Sequence, residues 1–126
     1  MIYPSLNCSK VFFTPSLLFS LDDPILGGSF LTMVSDFYVG GVDGVNSLTD
    51  YLLSPRLVPD HILKEYPPTR INIAGLCPLR DEQYKLIIRL SKLKVDVKGV
   101  DFRHFVHCFI GFGKSHNIPE YDEAVE

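Results

Sequence analysis

Between Thr69 and Val100 two short alternating segments flank a long amphipathic one, and this order constrains the fold more than any other feature of the chain. Thr69-Arg70-Ile71-Asn72-Ile73-Ala74 repeats with period two, as a strand with two distinct faces does, and Gly75 closes it. Asp81 to Leu93 follows a helical period. Tyr84, Ile87, Ile88 and Ser91 fall along one stripe, and Leu86, Leu90 and Leu93 widen it. Asp81 and Glu82 suit the positive N-terminal end of that helix, and Arg89, Lys92 and Lys94 its negative C-terminal end. Val95 to Val100 alternates again and reads as a second strand. Strand, helix, strand with short joints is the unit of a parallel sheet with a right-handed crossover.

Other segments fit around this unit. Met1-Ile2-Tyr3-Pro4 is apolar and reads as a further strand. A chain that opens inside a strand carries the expectation of more sequence ahead of it. Ser5 to Leu21 is irregular, with Ser, Pro and Asn as turn residues. Ser29 to Val39 predicts a helix with Phe30, Met33, Val34 and Phe37 on one face, ended by Gly40-Gly41. Residues 44 to 58 read as a loop. Asp60 to Glu65 reads as a helical turn stopped by Pro67-Pro68. Phe102 to Phe112 reads as a loop rich in aromatics and His. Pro119 opens a last helix, with Asp122 and Glu123 in its early turns. That helix is short for one that covers a sheet, so a clipped C-terminus is expected as well. The expectation is an α/β fold with about three parallel strands and flanking helices. It forms one domain in two parts, residues 1–58 and 59–126.

Composition removes several function classes. The chain is 46% hydrophobic and 21% charged with a net charge of −3, so it can bury a core. Its Lys residues are scattered and no basic run appears, which argues against nucleic acid or an anionic membrane as partner. Cys8, Cys77 and Cys108 are odd in number and form no CxxC pair. They give neither a disulfide framework nor a structural zinc motif, and they fit a reducing compartment. The apolar N-terminus is interrupted by Pro4 and Pro15 and lacks a positive leader, so no signal peptide is expected. No uninterrupted apolar run approaches the roughly 18 residues of a membrane span.

Four segments carry a resemblance. Ser54-Pro55-Arg56-Leu57-Val58-Pro59-Asp60 is followed by Tyr66-Pro67-Pro68-Thr69 and the strand to Ala74. Cys77-Pro78-Leu79-Arg80-Asp81-Glu82 comes next, and His107-Cys108-Phe109 follows the second strand. This series resembles the hormone-sensitive-lipase family of α/β-hydrolase serine esterases. There an SP-x-L-x-P loop leads through a PPT turn to Asp-Pro-Leu-x-Asp-Glu and, later, His-Gly-Phe. The step from position 77 to position 107 is 30 residues, the family's spacing between acid and histidine. Thr14-Pro15-Ser16-Leu17-Leu18 and Asp23-Pro24-Ile25-Leu26 resemble the stretch after the nucleophile strand. The likeness runs from about residue 1 to residue 113.

The resemblance implies the C-terminal part of an α/β-hydrolase and a Ser-His-Asp triad in the order Ser, Asp, His. These residues contain neither the family's Gly-Asp-Ser-Ala-Gly elbow nor its His-Gly-Gly oxyanion motif. Both are expected ahead of residue 1, and the chain alone is expected to be inactive. His107 falls on the general base, which takes the serine proton and returns it to the leaving alcohol. Cys77 falls on the acid, where a neutral thiol cannot stabilise an imidazolium as a carboxylate does. In serine proteases, loss of that carboxylate's charge costs about 10⁴ in turnover. Asp81 is the substitute acid to consider, although its place at a helix start suits a dipole partner instead. His104 has no counterpart in the motif and reads as a surface or packing residue.

A Cys77–His107 thiol nucleophile and a metal site of Cys77, His104, His107 and Cys108 are weaker readings. The acid's place in the family lies behind the histidine, and the four residues lack a zinc spacing. Cys108 replaces the family's glycine. Residues 12–38, rich in Phe, Leu and Met, suit either an acyl-pocket cover or ordinary core. The implied function is hydrolysis of lipid or short acyl esters without cofactor or metal. The cytoplasm is the expected compartment, with association to lipid droplets implied by the family. The alternative is a non-catalytic remnant that binds a protein partner or itself through the edge of strand 1–4.

Overall fold

A computed structural model describes residues 1–8, 14–23, 25–39, 46–113 and 117–125, with the side chains of 112 and 113 left aside. Two strands, β1 (Thr69–Ala74) and β2 (Val97–Phe102), pair in parallel from Thr69↔Val97 to Ala74↔Phe102. The crossover between them is a helix, α4 (Arg80–Lys92) in the numbering used below. Upstream lie α1 (Pro15–Phe19), α2 (Gly28–Val39) and α3 (Asp60–Leu63); downstream lie α5 (Phe109–Gly113) and α6 (Glu120–Val125). The expected third strand at Met1–Pro4 is reduced to one parallel bridge, Ile2↔Asn72. Only Met1 O and Tyr3 N meet the Asn72 backbone before Pro4, which has no N–H to extend a ladder.

β1 is buried on both faces, as the inner strand of a parallel sheet is. Ile71 and Ile73 pack with Leu63, Leu86 and Leu90 in one apolar cluster. Ala74, on the other face, belongs to a second cluster with Cys77, Phe102, Phe109 and Ala124. Asn72 is buried there too. Its Nδ2 donates to Ala124 O at 2.6 Å and its Oδ1 accepts from Arg70 Nε at 3.0 Å, tying α6 to the strand.

The stripe that α4 buries is Gln83, Leu86 and Leu90, so the buried face centres on the expected widening leucines and not on the Tyr84–Ile88 line. Tyr84 and Ile88 are exposed, and Ile87 and Leu93 pack at the cluster's margin. The helix ends in a Schellman motif. Lys94 takes a φ of 64° and donates to Ser91 O, and Val95 N donates to Leu90 O at 3.1 Å. That bond commits Val95 to the helix cap, so β2 begins at Val97 rather than Val95.

Arg89 fixes the SP loop to α4. Its guanidinium donates to Arg56 O, Val58 O and the Asp60 carboxylate. The expected loop at 44–58 accordingly includes a 3₁₀ turn at Pro55–Leu57. The helix at Asp60 stops at Leu63, the loop at 102–112 contains the start of α5, and Pro119 precedes α6 by one residue. Helix α2 spans its expected range, but Phe30, Met33, Val34 and Phe37 face solvent and none of its residues is buried. Its proposed stop at Gly40-Gly41 lies outside the described residues. No helix among the described residues is long and apolar enough to cross a membrane.

Gly75 closes β1 where the strand meets the turn after β2. Its N–H donates to Phe102 O at 2.9 Å, and a Cβ there would collide with the backbone of Arg103. Gly75→Ala is therefore expected to lower stability by about 2–3 kcal/mol, because backbone rather than a mobile side chain must yield. Urea unfolding of the two proteins measures the difference.

Candidate active site

The site lies at the carboxyl ends of the paired strands, where open α/β sheets place their ligands. β1 runs into Gly75, Leu76 and Cys77, and β2 runs into the turn 103–106 and His107. Leu76 N donates to Phe105 O at 3.0 Å, Cys77 N to Ala74 O at 3.0 Å and Phe105 N to Phe102 O at 3.1 Å. The first bond joins the two loops side by side, and the other two turn each loop away from its strand. Cys77 Sγ then stands 3.1 Å from His107 Nδ1, across 30 residues of chain.

The environment of that pair decides its chemistry. Cys77 is fully buried, and burial pushes its thiol up to about 11, with the Leu79 N–H at 3.4 Å opposing the rise. At neutral pH the sulfur is therefore a thiol. Burial also lowers the His107 imidazole below its usual 6.5, so the neutral ring is favoured. A carboxylate can only accept, and it forces the ring proton onto Nδ1, leaving Nε2 free to act as base. A thiol donates to Nδ1 as readily as it accepts from it. Donation places the ring proton on Nε2, the wrong tautomer for taking a proton there.

Tyr3 packs edge-on to the His107 ring with centroids 4.8 Å apart. Phe109, buried, stacks against Phe102 and Phe105 at 5.1 and 4.7 Å and anchors the loop one turn beyond the histidine. Between them Cys108 is exposed with a φ of 65°. That left-handed conformation is the one a glycine adopts without strain, and here a cysteine holds it.

Asp81 is placed elsewhere. Its Oδ2 accepts from Ser16 N at 2.8 Å, Arg80 Nε lies 3.5 Å from its Oδ1, and no contact joins it to His107. Ser16 Oγ also donates to Pro78 O at 2.8 Å, so Asp81 and its loop clamp the N-terminus of α1. Thr14 caps that helix through its Oγ1, with Pro15 at the first position. His104 is exposed. Among the described residues no cluster of three His, Cys, Asp or Glu side chains can hold a metal. Two residues at the site went unread in the sequence. Tyr3 gave no signal beyond a strand-like run. Asp23, whose charge acts on both Cys77 and His107, stood inside the quoted Asp-Pro-Ile-Leu piece.

A parallel β-α-β unit with a histidine and an acid-position residue on its carboxyl-end loops is the arrangement of an α/β-hydrolase. The chain belongs to the alpha/beta hydrolase fold family, which it matches over residues 1–111. This bears out the resemblance to hormone-sensitive-lipase-type esterases at the level of the family. No curated protein sequence matches it. Among solved structures it is similar to carboxyl esterase 2 from the mycorrhizal fungus Tuber melanosporum, with 20% identity and a TM-score of 0.85, covering 98% of this chain and 40% of that one. A thermostable esterase from Pseudomonas putida gives 22% identity and 0.83, with coverage of 98% and 37%. A hyperthermophilic esterase from Pyrobaculum calidifontis gives 25% and 0.83, again over 98% and 37%. The chain thus spans about two fifths of the length of these esterases.

The geometry fixes two outcomes. With Asp at position 77, Nδ1–H has an acceptor and the imidazolium a counter-charge, so Cys77→Asp raises the His107 pKa above its value in the unaltered chain. An NMR titration of the imidazole reads this, and an unmoved or lowered curve would show that position 77 does not govern the ring. The thiols separate as well. In native buffer near pH 8 iodoacetamide modifies exposed Cys108 first, while Cys77 reacts only on unfolding. Peptide mass mapping over time gives the order.

Proposed function

We propose that this chain is the acid-site and histidine-bearing part of a carboxylic-ester hydrolase of hormone-sensitive-lipase type, acting on lipid or short acyl esters. One observation carries the reading: His107 Nδ1 is held at 3.1 Å by the side chain at the family's acid position. In that role Nε2 of His107 takes the hydroxyl proton as a serine oxygen bonds to the ester carbonyl carbon. It then gives the proton to the alkoxide as the ester C–O bond breaks. The 126 residues hold no Gly-x-Ser-x-Gly elbow, so by themselves they supply the base without the nucleophile.

A second reading is favoured by the buried thiol itself. With Cys77 neutral and no carboxylate hydrogen-bonded to Nδ1, the segment serves a non-catalytic protein that binds a partner.

One measurement checks that the chain alone is inactive, and a second separates the two readings. The purified chain exposed to a fluorophosphonate takes up no label, and covalent labelling would overturn its inactivity alone. In a polypeptide joining this segment to a nucleophile elbow, hydrolysis of p-nitrophenyl esters falls in His107→Ala. It rises in Cys77→Asp, by as much as about 10⁴ in kcat. Turnover indifferent to both changes would remove the hydrolase reading and leave the non-catalytic one.

A further inference from the structure

Tyr3 holds a backbone conformation that bulky residues rarely adopt, with a φ of 29°. Such a conformation persists only where its surroundings over-determine it. Here it is tied on both sides. Tyr3 N donates to Asn72 O at 2.8 Å, and Asn72 N donates to Met1 O at 2.9 Å. One residue further on, Pro4 O accepts from Gln83 Nε2 at 3.0 Å. Gln83 is fully buried on α4, and its Oε1 has no hydrogen-bond partner among the described residues. A buried amide that leaves its acceptor unpaired is costly, and the bond it makes from that position is the one to Pro4.

The segment so fixed carries its side chain into the site. The Tyr3 and His107 rings meet with centroids 4.8 Å apart and planes at 60°, and Phe109 lies 5.9 Å from Tyr3 on the same loop. The Ile110 N–H, at the start of α5, hydrogen-bonds the phenol. The other neighbour of the imidazole holds it weakly. A thiol is a poor donor and a poor acceptor, so Cys77 Sγ at 3.1 Å constrains the ring less than a carboxylate would. Turning the imidazole over about Cβ–Cγ exchanges Nδ1 with Cδ2 and moves Nε2 as well. An aromatic ring packed edge-on against it opposes that sweep.

We propose that Tyr3 is a positioning residue for His107, whose ring, fixed from Asn72 on one side and Gln83 on the other, keeps the imidazole turned with Nδ1 toward Cys77. The proposal rests on the reading of His107 as general base, since only then does the direction of Nε2 matter to a reaction. It gives the strained backbone at Tyr3 and the buried amide of Gln83 one shared role.

The test is NMR of the whole chain. Tyr3→Leu removes the aromatic wedge and keeps an apolar side chain, whereas Tyr3→Phe keeps the ring and removes the hydroxyl. In the unaltered chain His107 Hε1 gives a cross-peak to the Cys77 Hβ protons and Hδ2 gives none. In Tyr3→Leu the ring turns over and a cross-peak from Hδ2 to Cys77 Hβ appears, while the Ile71 and Ile73 methyl resonances of the core stay in place. Tyr3→Phe keeps the unaltered pattern. An Hδ2 cross-peak already present in the unaltered chain, its absence from Tyr3→Leu, or its appearance in Tyr3→Phe overturns the proposal. Should Tyr3→Leu not fold, Gln83→Met, of similar volume, removes the Pro4 tether and leaves Tyr3 in the chain. The Hδ2 cross-peak then appears there, and its absence overturns the proposal. No ester turnover enters this test. An unmoved ring pattern removes Tyr3 and leaves the His107 reading standing, whereas turnover indifferent to His107→Ala removes that reading and leaves the ring contact as it is.

Discussion

The parallel register of β1 and β2 sets Ala74 beside Phe102, so both strands end at the same level. Each then releases a short loop on the same side, and the two loops bond to one another before either helix begins. This is how residues 30 positions apart come within 3.1 Å. Anything that moves one strand end along the other separates Cys77 from His107. The buried Ile71 and Ile73 under α4, and Asn72 under α6, hold β1 from both faces and resist such a slip. Gly75 sets how closely the ends approach, because only a residue without Cβ fits against Arg103.

Within that frame the backbone of the histidine loop is firmly held. The left-handed φ at Cys108 costs roughly 1–2 kcal/mol in a residue other than glycine. Burying the Phe109 ring next to it returns about 1.5–3 kcal/mol, and its aromatic pairs add roughly 0.5–1.5 kcal/mol each. The ring anchor therefore outweighs the strain, and the loop holds its shape without its glycine. The thiol offers no comparable replacement for a hydrogen bond from Nδ1–H to a carboxylate. A thiol fills the volume and touches Nδ1, but burial keeps it neutral, and a neutral partner does not dictate which nitrogen bears the ring proton.

Much of this was legible in the residues. The period-two run at 69–74 and the helical run after it gave the β-α-β unit, and the step from 77 to 107 gave the pair. What stayed hidden depended on three-dimensional partners. A helical period shows that an apolar face exists, not which environment meets it. The Phe30–Phe37 stripe of α2 is real but turned outward, with Phe37 81% exposed. Gln83 is polar and yet lies at the centre of the buried face of α4, because its Nε2 reaches Pro4 O at 3.0 Å, a partner 79 residues away. Val95 alternates like a strand residue, but its N–H belongs to the helix cap. Asp81 sits where a helix-start acid should, and only the fold shows that it receives the Ser16 N–H.

The fate of the charge at the site follows from the same contrast between local and distant information. A triad acid can be read from a motif because it lies at a fixed offset on a loop that the strands position. Asp81, the acid nearest in sequence to Cys77, is spent on clamping α1. That clamp also fixes the start of the chain leading to Asp23, while Leu26 fixes its far side within the site's own core. The acid nearest the pair in sequence thus serves the frame around the site, through the Ser16 N–H, and makes no contact with the histidine.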